Sequence, residues 1–91
     1  MAEKEFTDEQ LVVFLRTGNR VAYEEIYRRY WDKLFEWASH QIGVEDAEEV
    51  LQEVFLSLWH RRADVIIKRL DVYLAVAVKN LVFNFFKSQL T

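Results

Sequence analysis

Apolar residues recur along the chain at steps of three and four, the spacing that gathers them on one side of an α-helix. The clearest case is Asp46–Trp59, where Ala47, Val50, Leu51, Val54, Phe55, Leu58 and Trp59 make a single stripe. Its opposite side carries Glu45, Glu48, Glu49, Gln52 and Glu53, with no Lys or Arg four positions on to neutralise the carboxylates. The stripe is a core face. The acidic and amide side is either solvated surface or a docking face for a basic partner. The spacing predicts a helix over about 46–62, capped by Asp46 and ending on His60, Arg61 and Arg62, whose positive charge complements the helix dipole.

Three further helices are legible. Thr7-Asp8-Glu9-Gln10 has the form of a capping box, which predicts a helix over about 7–17 with Leu11, Val12, Phe14 and Leu15 as its apolar side. Gly18 suits the left-handed position after it, and Asn19 can cap the next helix, about 20–42. There Ala22, Tyr23, Ile26, Tyr27, Tyr30, Leu34, Phe35, Ala38 and Ile42 share a face, with Trp31 and Trp37 partly outside it. Glu24 and Glu25 precede Arg28 and Arg29 by four positions, the order that favours ion pairs along a helix. Gly43 closes that helix. Residues 63–69 break the period with a β-branched run and read as an ordered connection. The last helix, about 70–88, has Leu70, Tyr73, Leu74, Ala77, Leu81 and Phe85 as its inner stripe, although Arg69 stands where a capping polar residue is expected.

Composition agrees with these helices and limits the chemistry. With no proline and two glycines in 91 residues, there is little to break helices or turn hairpins, so the expected fold is all-α, a compact bundle of four helices in one domain spanning 1–91. No cysteine is present, which removes disulfides and thiolate metal sites. His40 and His60 lack metalloprotease spacing, and Glu48, Glu49 and Glu53 lack the Glu-x-x-His partner of a carboxylate metal site. Neither a catalytic residue, a metal nor a cofactor is therefore expected. The N-terminus is acidic where a signal peptide is basic, and no apolar run approaches the roughly 20 residues needed to span a bilayer. A cytoplasmic protein without membrane insertion is the expectation.

Charge is distributed unevenly. Residues 1–57 hold six Lys/Arg against thirteen Asp/Glu, a balance of −7, whereas residues 58–91 hold six against two, a balance of +4. The two parts should prefer different partners. In the last helix Lys79, Asn80, Phe83, Asn84 and Lys87 fall within one band. Amides can read base edges, ammoniums hold phosphates, and a phenyl face stacks a base.

Taken together, about residues 8–88 resemble region 2 of the bacterial extracytoplasmic-function sigma factors. The resemblance rests on the run Leu15–Tyr30, on Asp46–Trp59, and on Tyr73-Leu74 with Val78-Lys79-Asn80 and Asn84, in that order and spacing. It implies a helical domain that joins RNA polymerase core enzyme and helps open promoter DNA. By the same resemblance Glu49, Gln52 and Glu53 dock on the clamp helices of the largest catalytic subunit. Lys79, Asn80 and Asn84 on the last helix, with Arg61, Arg62 and Lys68 around the preceding loop, contact the −10 element, and an anti-sigma factor is a further implied partner. Two departures stand out. Val76 and Ala77 replace the tryptophan pair of housekeeping sigma factors, and no C-terminal helix-turn-helix follows, so the chain reads as a fragment of such a factor. An alternative function is a helical protein–protein module that binds through Phe83 and Phe86 of an exposed apolar last helix, whose apolar run continues to Leu90, without binding DNA.

Overall fold

The structure, a computed structural model, describes residues 5–89 as four α-helices with no strand among them. They are α1 (Asp8–Arg16), α2 (Arg20–Ile42), α3 (Val44–His60) and α4 (Leu70–Gln89). The all-α bundle expected from the spacing is the observed fold. Leu90 lies outside the described residues.

The first three boundaries are set by local chemistry. The Thr7 hydroxyl accepts from the Gln10 amide at 3.1 Å while the Gln10 side chain accepts from the Thr7 amide at 2.9 Å, a complete capping box. At the other end of α1 the Gly18 N–H donates to the Leu15 carbonyl and the Asn19 N–H to that of Phe14, which satisfies two carbonyls left open at the helix end. Gly18 holds φ +88°, the region glycine occupies without a Cβ clash. The Asn19 side chain then accepts from the Ala22 amide at 3.0 Å and opens α2.

The start of α3 differs from the expected one. It begins at Val44, with Gly43 at the cap and no side-chain capping bond, so Asp46 lies inside the first turn instead of before it. Glu45 and Asp46 there still complement the positive end of the helix dipole. The far end falls at His60, two residues short of the expected boundary, and Arg61 and Arg62 belong to the turn that follows.

One apolar core joins all four helices, and it contains no buried polar side chain among the described residues. Helix α3 supplies its centre. Ala47, Val50, Leu51, Val54, Phe55 and Leu58 are buried, and Trp59 is half-buried against them, as the spacing predicts. From α1 come Leu11, Val12 and Leu15, while Phe14 sits at the edge against Phe6 with ring centroids 5.4 Å apart. From α2 come Ala22, Ile26 and Ala38. The α2 aromatics wrap the seam. Tyr27, Trp31 and Phe55 lie within 4.7 to 5.8 Å of one another, and Phe35 stacks on Trp31, so Trp31 belongs to the packed face that the spacing places partly outside it. Each such ring pair contributes roughly 0.5–1.5 kcal/mol beyond area burial.

Helix α4 is rotated relative to the expected stripe. Leu70, Leu74, Val78 and Val82 are the buried row, at strict four-residue steps, while Tyr73, Ala77, Leu81 and Phe85 are half-buried beside it. An almost uniformly apolar helix carries little information about which side turns inward, and the four-residue ridge packs best against α2 and α3. Its start is braced by an ion pair. The Arg69 guanidinium grips the Asp71 carboxylate with two hydrogen bonds, of 3.2 and 2.9 Å, and holds that carboxyl below its ordinary range.

Polar ties fasten the helices. Arg29 pairs with Glu25 at 2.9 Å, as the spacing predicts, but also reaches Asp8 at 3.1 Å and the Phe6 carbonyl at 2.6 Å, clamping α1 onto α2. Arg28 departs from the expected partner and pairs with Glu25, three residues back, at 3.2 Å instead of with Glu24. The Tyr30 hydroxyl donates to the same Asp8 carboxylate, and burial followed by that bond pushes the phenol well above its ordinary value. Between α3 and α4 the connection is ordered, as expected: the Arg16 guanidinium donates to the Val65 carbonyl at 3.0 Å and Ile67 packs on the core.

Candidate functional site

The outer face of α3 is set by its inner one. Because six residues of this helix are buried on one side, Glu45, Glu48, Glu49, Gln52 and Glu53 are turned to the exterior, and all five are exposed. Among the described residues none of the four carboxylates forms an ion pair, whereas those of α1 and α2 that meet Arg28 and Arg29 do. A row of unneutralised carboxylates on a rigid helix is an attractive field for a cationic surface. The helix is also held from beneath: the Tyr23 hydroxyl donates to the Phe55 carbonyl at 2.8 Å, and its ring lies 5.2 Å from that of Trp59.

The six residues expected to meet DNA are distributed over several places. Arg61 and Asn80 line a shallow groove of about 200 Å³ between α3 and α4, together with Glu53, Ser57 and Tyr73. Lys79 and Asn80 line a second groove, of about 320 Å³, between α4 and α2, with Trp37, Gln41, Phe83 and Phe86. Asn80 thus borders both. Asn84 is exposed on α4 and lines neither groove. Lys68 lies at the other end of α4, on a cavity of about 330 Å³ shared with Thr7, Asp8, Glu9, Arg69 and Asp71.

Arg62 is turned elsewhere. Its guanidinium donates to the Trp59 carbonyl at 2.8 Å, sits 4.2 Å from the centre of the Trp59 ring and passes 3.7 Å from where a Cβ on Gly18 would stand. That cation–π contact, worth about 0.5–1 kcal/mol at an exposed site, gives Arg62 a structural role in ending α3. Trp37 and Gln41 are the residues that sequence spacing does not bring to α4. Trp37 lies at the edge of its helix stripe, and only the packing of α2 on α4 makes that edge a groove wall.

Among the described residues no cluster of three or more His, Asp or Glu side chains could hold a metal ion, and no helix is long and apolar enough to cross a membrane. Comparison of the chain with protein-family models, curated proteins and solved structures finds no match.

Proposed function

We propose that this chain is a transcription-initiation module of the sigma region 2 type, without catalytic activity, acting in the cytoplasm. In this reading the Glu49–Gln52–Glu53 face of α3 docks on the clamp helices of RNA polymerase core enzyme. Helix α4 and the loop before it meet the unwound −10 strand. The observation that supports it is the exposed, unneutralised acidic and amide row on α3 beside an outward-facing Lys79 and Asn80. Protein and nucleic acid would be met on neighbouring helices of one rigid bundle. Base-edge contacts from Asn80 and phosphate contacts from Lys79 would give the isolated domain weak, salt-dependent affinity for single strands, with the slope near −0.7 per phosphate contact.

The test is binding of the 91-residue chain to a clamp-helix fragment of the polymerase and to −10 single strands. Glu49→Lys, Gln52→Ala and Glu53→Lys are expected to weaken the first. Asn80→Ala is expected to lower the preference for a −10 sequence, and Lys79→Ala to lower affinity for all sequences alike. Clamp binding that is indifferent to both charge reversals would count against the assignment.

A further inference from the structure

Most aromatic rings in this bundle have ring partners or core packing. Tyr23 meets Trp59, Tyr27 and Trp31 meet Phe55, Phe6 meets Phe14, and Phe85 meets Phe86. Trp37 and Phe83 differ. Among the described residues neither has a ring partner, they are 38% and 67% exposed, and both line the groove between α2 and α4. Phe86, 40% exposed, extends the same wall toward the end of α4.

The polar groups in that groove narrow what it can hold. Gln41 and Asn80 each offer an amide donor and an acceptor, Lys79 offers a positive charge, and no acidic side chain is among the described lining residues. An apolar helix laid over it, from a partner or a second copy, would strip water from two carboxamides and an ammonium without replacing their hydrogen bonds, which is costly. A second copy would also bring another Lys79. An unpaired nucleobase suits all three kinds of group: its faces stack on aromatic rings, its edges pair with carboxamides, and its phosphate is anionic.

We propose that the α2/α4 groove is a stacking site for an unpaired base of single-stranded nucleic acid, with Trp37 and Phe83 as its aromatic walls and Lys79 on the adjoining phosphate. This rests on the nucleic-acid reading of α4 and extends it onto α2, so that the strand crosses α4 from the Asn80 side toward Trp37. Recognition at this site follows ring faces more than base identity.

The experiment titrates the 91-residue chain with a short oligothymidylate and with an abasic phosphodiester of equal length, following tryptophan emission and affinity. Quenching by the oligothymidylate and not by the abasic strand is expected. Trp37→Ala and Phe83→Ala should each weaken oligothymidylate binding by about 5- to 150-fold, with Trp37→Phe retaining most of it. Phe83 is exposed enough that its removal leaves the fold intact, so a folding defect in the Trp37 variant would not obscure the result. Oligothymidylate binding that falls in Lys79→Ala but is unchanged in both aromatic variants would overturn the stacking site while leaving α4 a nucleic-acid helix. No binding of either strand by the unsubstituted chain would overturn both. Salt-insensitive self-association abolished by Phe83→Ala would instead assign the groove to protein contact, and the proposal would fail.

Discussion

Glu53 of α3 and Asn80 of α4 line the same groove, with Arg61 beside them. The acidic helix and the amide-bearing helix therefore present adjoining surfaces, and a partner bound on one lies within reach of a strand bound on the other. A charge change in this groove should be felt on both sides. Glu53→Lys is expected to lose clamp-helix binding and, by placing a cation next to Asn80, to raise affinity for single strands of any sequence. It should also steepen the salt dependence by about 0.7 per added phosphate contact. Glu49→Lys, one turn away and outside the groove, should lose the first without gaining the second. Salt titrations of both variants check this, and equal strand affinities would refute it.

Core and surface phenyl rings should differ sharply in cost. Phe55 is 1% exposed and touches the α2 aromatics, so Phe55→Ala is expected to destabilise by about 3–5 kcal/mol. In a domain this small that is a large part of total stability. Phe83→Ala, at a site 67% exposed, should change it by no more than about 0.5 kcal/mol. Urea unfolding followed by circular dichroism distinguishes them.

The turn after α1 depends on backbone conformation more than on space. A Cβ on Gly18 would meet Arg62 only at 3.7 Å, an ordinary contact, yet φ is +88°. Gly18→Ala is therefore expected to cost about 1–2 kcal/mol through backbone strain alone. Thermal unfolding should show this as a fall of roughly 4–8 °C per kcal/mol. An unchanged midpoint would mean that the turn relaxes to another geometry.

Alkaline stability should report on Tyr30. Its phenol is held above the ordinary value of 10.0, by burial first and then by the bond to Asp8. A group whose folded value is raised contributes stability that is complete below its unfolded value and is lost as pH climbs toward the folded one. The unfolding midpoint should thus fall as pH rises past about 10, where the unfolded chain ionises and the folded one does not. Tyr30→Phe should flatten that fall, while costing about 1 kcal/mol at neutral pH through the lost hydrogen bond. Tyr23 and Tyr27, shifted the same way chiefly by burial, leave a remainder of the slope in the variant.

Local signals in the chain were sufficient for much of this architecture. The capping box at Thr7, the glycine at 18, the Asn19 cap and the two-faced pattern of α3 act over three or four residues, so they mark helix type, most boundaries and the polar side of α3 that carries Glu49, Gln52 and Glu53. Tertiary structure decided what periodicity leaves degenerate. In α4 apolar residues occur nearly all round, and packing on α2 and α3 chose the Leu70–Leu74–Val78–Val82 row as the inner one. The same packing drew Trp31 into the aromatic cluster and left Trp37 on a groove wall. It also brought Glu53 beside Asn80, two residues 27 positions apart in sequence, because only the crossing of two helices fixes which side chains share a surface.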